Sequence, residues 1–225
     1  MKDTPIFINS KDRYSYLKKL VTRLEELETT NITIVDTGST YPPMLEYYET
    51  LKYPIKRLGN VQTDAHHALW NCGLMPDGWF VYTDCDVVPM EECPKDYLDF
   101  FYASLMKYPQ KVKIGFGLHI EDIPDHYKHK HVLPGEDVGL HPGVLEWEAH
   151  FWQNPIDNLL YDADIDTTFA LYRPGTIGRT GQPAIRTGHP YAARHLTWYT
   201  NSSNLTEEEI YYKAHVVPGV SSWGI

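Results

Sequence analysis

Trp79-Phe-Val-Tyr-Thr-Asp-Cys-Asp-Val-Val-Pro89 is the stretch whose reading decides the fold. An apolar run the length of a buried strand, residues 79–83, ends in two carboxylates, Asp84 and Asp86. Residues two apart on a strand point to the same side, so the spacing predicts that both carboxylates converge on one point. Two ionised Asp side chains held together repel each other and cost stability unless something neutralises them. A divalent cation shared with the phosphates of a nucleotide meets that need. Carboxylate and phosphate oxygens suit Mg²⁺ or Mn²⁺.

Working outward, residues 6–8 read as a first strand. A helix follows, with its apolar stripe on Leu17, Leu20, Val21, Leu24 and Leu27. Residues 31–36 form a β-branched second strand, and Thr37-Gly-Ser-Thr40 a turn. Tyr41-Pro-Pro43 opens a helix through about Leu51. Residues 55–58 are a short third strand, and 65–74 read as helical. The first 110 residues thus alternate strand and helix, which predicts a mostly parallel sheet covered on both faces. Ligands of such sheets gather beyond the C-terminal strand ends. Asp36, Asp84 and Asp86 all fall there.

The second half is less regular. It reads as a helix at 94–107, a strand at 112–120 and a polar, histidine-bearing loop at 121–143. A helix at 144–152 and a strand at 167–172 follow. The Gly/Thr-rich segment 175–188 is expected to be a mobile loop. Thr206-Glu-Glu-Glu209 is a capping box opening a last helix, and 216–225 a tail. The expected organisation is a single domain, 1–225. Its parts are a nucleotide-binding half (1–110), an acceptor-side half (111–200) and a C-terminal helix and tail (201–225).

The 225 residues are 42% hydrophobic and 22% charged, an ordinary globular balance with enough chain for a substantial core. A formal net charge of -10 argues against a nucleic-acid backbone as partner. The 17 tyrosines and 6 tryptophans suit a sugar or base cleft, or a core. Three cysteines, Cys72, Cys85 and Cys93, form no CxxC pair, which points to a reducing interior. Without a signal peptide or an apolar stretch of spanning length, the expected location is the cytoplasm, with attachment at a membrane surface left open.

Four motifs together resemble glycosyltransferases of the GT-A fold, an α/β fold, and within them the family-2-like enzymes of bacterial and viral polysaccharide synthesis. Ile34-Val-Asp36-Thr-Gly-Ser39-Thr resembles their second-strand signature, whose Asp contacts the nucleotide base. Asn60 through Ala68-Leu-Trp-Asn71-Cys-Gly73 resembles the Ala- and Asn-rich helix that follows. Thr83-Asp84-Cys-Asp86 matches the metal-binding DxD motif. Arg186-Thr-Gly-His-Pro-Tyr-Ala-Ala-Arg194-His195-Leu-Thr-Trp198-Tyr looks like the segment whose His completes the metal shell. The resemblance implies an inverting, metal-dependent transfer of sugar from a nucleoside diphosphate of UDP or GDP type to a glycan or lipid-linked acceptor. The metal ligands would be Asp84, Asp86 and His195, and the imidazole favours Mn²⁺. Asp36, Thr37, Ser39, Arg13, His67, Asp84 and Arg194 would face the nucleotide, with Arg186 a further diphosphate candidate.

The family's acceptor-side Glu-Asp dipeptide is missing. Glu146-Trp147-Glu148 is the nearest match. A catalytic base works best poised near neutral pH, and burial beside Trp147 and Trp152 would raise a Glu. Glu148 is therefore the first candidate base, Asp166 the second and Glu146 the third. Trp147, Trp152 and Trp198 are candidate sugar platforms. His126, His129 and His131 read as solvated rather than as a zinc cluster. Two alternatives stay open, a sugar-1-phosphate nucleotidyltransferase and a non-catalytic carbohydrate-binding protein. Asn9-Ser-Lys-Asp-Arg13 lacks the glycines that the former needs after its first strand.

Overall fold

The computed structural model of the chain describes residues 1–59, 61, 65–131, 143–166 and 168–216. Asn60, residues 132–142 of the 121–143 loop, Thr167 and nearly all of the tail read at 216–225 lie outside them. Within them, β1 (Ile6–Ser10), α1 (Tyr14–Glu26), β2 (Ile32–Asp36), α2 (Pro42–Thr50), β3 (Ile55–Arg57), α3 (Ala68–Asn71) and β4 (Phe80–Asp84) follow in the expected alternation. After them come β5 (Val87–Pro89), α4 (Tyr97–Lys107), β6 (Lys113–Leu118), α5 (Val144–Ala149), β7 (Leu160–Asp162), β8 (Ala170–Tyr172), β9 (Ala184–His195) and α6 (Glu207–His215).

The strands join one sheet in the order β3-β2-β1-β4-β8-β6-β9-β5, with β7 paired to β9. Pairing is parallel from β3 through β4 and again between β6 and β9. Strands β5, β7 and β8 run antiparallel to their neighbours. The architecture is the helix-flanked, largely parallel α/β sheet that the alternation predicts.

Side-chain alternation splits the core between two faces. Ile6, Ile8, Ile34 and Val81 face α1 and α4, whose Leu17, Leu20, Leu24, Phe101 and Leu105 are buried with them. Val35, Phe80, Tyr82 and Tyr172 face the other way, onto α3 and Leu69. Phe80 and Tyr172 stack across the β4–β8 pair at 5.1 Å. No described helix is long and apolar enough to cross a membrane.

The segment 175–188 differs from its expectation. Only its first part links β8 to β9, and β9 begins at Ala184. Ala184-Ile-Arg-Thr-Gly188 is buried throughout, between β6 and β7, so its threonine and glycine pack rather than flex. The linking part is also held, since the Trp70 indole donates to the Thr176 carbonyl at 2.9 Å. Strands β5 and β7, three residues each, carry too little pattern to be read in advance. The expected 144–152 helix breaks into α5 and a 3₁₀ turn at His150–Trp152, and helix 65–74 shortens to a 3₁₀ turn and α3. The Thr206 capping box is present in full. Of the loop histidines, His129 is buried edge-on to Tyr127 rather than solvated.

A close approach at the centre of the sheet demands a glycine. A Cβ at Gly115 on β6 would overlap the Phe169 carbonyl oxygen and stand 3.0 Å from the Ala170 Cβ. Gly115→Ala should therefore destabilise the protein by roughly 1–3 kcal/mol, the usual cost of overpacking. The urea unfolding midpoint measures it, and an unchanged midpoint would contradict the packing.

Candidate active site

The C-terminal ends of β1, β2 and β4 form a common rim, with Asn9 in register with Asp84 and Ser10 with Asp36. The loops after β1 and β2 are stitched together there. Asp12, at φ 53°, accepts from the backbone N–H groups of Thr40 (2.5 Å) and Tyr41 (2.7 Å), and its own N–H donates to Ser39 Oγ at 2.9 Å. Thr37 Oγ1 donates to the Ser10 carbonyl. Asp36 closes its turn by accepting from the Ser39 N–H at 3.1 Å, and also receives the Tyr48 hydroxyl at 3.1 Å and Arg57 Nε at 3.3 Å. Asp36 is fully buried. Its carboxylate thus organises the turn and presents the half-exposed Arg57 beyond it.

Asp84 keeps the parity of Phe80 and Tyr82 and faces the second core. Its Oδ1 accepts from Asn9 Nδ2 and from Arg179, both at 3.0 Å. Arg179 is fully buried over the Tyr82 ring (4.5 Å), and also donates to the His66 carbonyl at 3.0 Å. His67 caps α3 close by, edge-on to Trp70.

Asp86 goes elsewhere. The chain turns at Cys85 and Asp86, which ends the two-residue period of the strand. Asp86 Oδ2 accepts from the Thr197 hydroxyl at 2.7 Å, and lies 3.6 Å from Arg13 and 3.9 Å from His195 Nε2. Its Oδ1 and His195 Nδ1 are buried without a partner. Burial alone would raise Asp86, but His195, Arg13 and the Thr197 hydroxyl outweigh it and hold the carboxyl below its ordinary value. Arg13 is itself held by the Thr197 hydroxyl (2.7 Å) and the Tyr212 ring face (3.9 Å). The last helix supports this arrangement, because Glu208 of α6 accepts from the Ser15 N–H (2.8 Å) and hydroxyl (2.6 Å) at the start of α1.

The two carboxylates therefore do not converge as their spacing predicts. Asp86 and His195 come together, whereas Asp84 turns to Arg179. Each carboxylate also has a guanidinium beside it, so the repulsion that seemed to demand a metal is already offset by protein. Arg194 is not on this rim. It neighbours His195 on β9 and so points oppositely, into Asp122 (2.9 and 3.1 Å) and Glu91 (2.7 Å).

Beside the rim lies an open cavity of about 580 Å³ lined by Trp147, His150, Phe151, Asp164, Asp166 and Thr180, among others. Trp147 is the exposed tryptophan here, while Trp198 is buried and stacked on His195 at 4.8 Å. Trp152 packs against Tyr161 and Gly117. Glu148 lies beneath the cavity, 2% exposed, in a tight ion pair with Arg186. Arg186 also reaches Asp166 at 4.0 Å and lies over the Phe151 ring at 3.9 Å. Burial pushes Glu148 up to about 7 against the pull of Arg186. The expected rise is present, but its cause closes the group off from any acceptor. Asp166, half exposed, faces the cavity. Glu146 also lines it and pairs with His131 at 3.0 Å. Arg186 thus serves carboxylates, not a diphosphate.

Two site residues escaped the sequence reading. Arg179 sits in Ile177-Gly-Arg-Thr-Gly181, whose glycines concealed a buried charge. Lys113 opens β6 fully buried, its ammonium donating to the carbonyls of Ile165 and Arg179, and burial lowers it to about 7. It ties the cavity wall to the loop that holds Asp84.

No protein-family model matches the sequence, and no curated protein sequence does. Among solved structures, a mannosyltransferase from Pyrobaculum calidifontis, in complex with GDP-Man and Mn²⁺, overlaps 53% of this chain and 36% of its own. Identity there is 13% and the TM-score 0.39. Glucosyl-3-phosphoglycerate synthase from Mycobacterium tuberculosis, in complex with phosphoglyceric acid, overlaps 52% and 44%, with 11% identity and a TM-score of 0.39. The chain thus spans less than half the length of either, and nothing about its substrate follows from them.

Glu148 predicts a pH dependence of stability. Its folded value lies above the ordinary 4.5, so the folded state holds the extra proton. Stability from this group is greatest below about 4.5 and is lost as pH rises toward 7. Glu148→Gln cannot titrate. The stability gap between wild type and variant should therefore shift against wild type by roughly 1–3 kcal/mol from pH 5 to pH 8. Urea midpoints at the two pH values test this, and a gap that does not move would show that Arg186 keeps Glu148 ionised throughout.

Proposed function

We propose that the chain is a glycosyltransferase of the GT-A type that uses a nucleoside diphosphate sugar. The observation that carries this reading is the approach of Asp86 Oδ2 to His195 Nε2, 3.9 Å, at a sheet rim where Asp86 Oδ1 is buried without a partner. A carboxylate and an imidazole suit a divalent cation of the Mn²⁺ or Mg²⁺ class. When bound, such a cation offsets charge on a leaving diphosphate. Asp84, on the neighbouring side, is the further carboxylate within the motif. Asp36 shapes the nucleotide turn with Thr37 and Ser39, and Arg57 is the group exposed to a base or ribose.

The cavity then takes the acceptor, a glycan or lipid-linked sugar. The exposed ring of Trp147 offers a face for a sugar. Asp166, rather than Glu148, takes the proton of the acceptor hydroxyl as its oxygen attacks the anomeric carbon and the diphosphate departs. Arg186 orients Asp166, with Glu148 behind it as its buried hydrogen-bond partner. The loop carrying Arg179 and Thr180 joins the two sites, since Arg179 holds Asp84 and Thr180 lines the cavity. A direct displacement across that loop inverts configuration.

One observation favours a second reading. Arg13 and Arg179 already neutralise the acidic pair, as they would in a sugar-nucleotide-binding protein that performs no transfer. Calorimetry with UDP and with GDP, with and without Mn²⁺, separates the two. Transfer requires Mn²⁺-dependent binding that is lost in Asp86→Asn, and nucleotide binding indifferent to Mn²⁺ would support the second reading.

The base is tested in parallel. Asp166→Asn should leave donor binding intact and lower transfer by about two to four orders of magnitude. Full activity in Asp166→Asn would remove it from that role.

A further inference from the structure

We propose that His119, Glu121 and His189 form a second divalent-cation site, of zinc chemistry, just beyond the C-terminal end of β6. Their ligand atoms lie within 4.8 Å of one another, and among the described residues no other set of three His, Cys, Asp or Glu side chains does so. His119 follows the end of β6. His189 is carried outward by an irregularity in β9, whose pairing with β6 jumps from Thr187 to Ala192 and leaves Gly188 to Tyr191 looped out. Such interruptions re-aim side chains at strand edges. The result is His119 Nδ1 at 3.0 Å from His189 Nε2 and at 2.7 Å from Glu121 Oε2.

A second carboxylate stands behind the ring. His119 Nε2 lies 3.3 Å from Asp122 Oδ1, the placement of a carboxylate that orients a ligating imidazole. Asp122 is fixed in turn by Arg194 and by the Tyr199 hydroxyl. His119 Nδ1 faces a carboxylate oxygen and a second imidazole nitrogen. Three atoms able to donate an electron pair thus meet at one point, where a cation would be held by all three. Two imidazoles and one carboxylate, with a position left open to water, are a zinc donor set. Zinc would hold tetrahedral donors about 3.3 Å apart, close to the 3.0 Å and 2.7 Å that separate His119 Nδ1 from its two neighbours, with the third pair within 4.8 Å. This site owes nothing to the transferase reading.

Titration of the metal-free chain with Zn²⁺ against a competing chromophoric zinc indicator tests it. Cobalt(II) spectra report ligand type. One tight Zn²⁺ per chain is expected, weakened by more than about tenfold in His189→Ala and also in Glu121→Gln, and unchanged in Asp86→Asn. His189 and Glu121 are exposed, so both variants should keep the fold. Zinc affinity equal in wild type, His189→Ala and Glu121→Gln would overturn the proposal. So would affinity lost in Asp86→Asn alone, which would place the ion at the rim.

Discussion

The buried guanidinium of Arg13 is the constraint on which the rim depends. A full charge with 5% exposure must be paired, and its partners come from three distant parts of the chain. Asp86 arrives from the β4–β5 turn, Thr197 from the turn after β9, and the Tyr212 ring from α6. The Thr197 hydroxyl binds both ions of the pair, and its residue directly precedes the Trp198 on which His195 stacks. Holding Arg13 thus positions His195 against Asp86. The last helix is part of the site for the same reason, because Glu208 clamps α6 to the start of α1, one turn from Arg13.

Arg179 is the counterpart on the other face of the sheet. The two-residue spacing of Asp84 and Asp86 implies a shared direction only while the strand continues. It ends at Asp84, and the carboxylates part to opposite cores, each meeting its own arginine. A pair that looks like one charge cluster in sequence is therefore two ion pairs back to back. Their difference is chemical as well as spatial. Asp84 has two strong donors on one oxygen, whereas Asp86 keeps an oxygen buried and unsatisfied, a costly state that favours a further ligand.

The first half of the fold was legible because its elements are periodic. The stripe from Leu17 to Leu27, the β-branched 31–36 run and the prolines opening α2 each state their own structure, and the strand–helix alternation states the sheet. The capping box at Thr206 was readable for a similar reason, as a local hydrogen-bond code. Strand β9 was not, because Arg-Thr-Gly-His-Pro has loop composition and becomes strand only through its neighbours β6 and β7. The site was legible in its acids and not in their partners. Asp36, Asp84 and His195 end strands and Asp86 follows one, but ion pairs such as Asp84–Arg179 and Glu148–Arg186 join residues far apart in sequence. No local pattern encodes that choice.

These long-range pairs also explain why Asp166, and not Glu148, faces the cavity. Burial that raises a carboxyl toward neutrality requires removal from water, and a base must meet its substrate. In Glu148 the first condition has defeated the second. Asp166 remains half exposed, yet it is not isolated, because Arg186 links it to Glu148 and Lys113 ties the backbone beside it to Arg179. The base candidate, the cavity wall and the loop that grips Asp84 are consequently one connected polar assembly. The link between cavity wall and rim is a single buried ammonium bound to two backbone carbonyls, and burial lowers Lys113 to about 7.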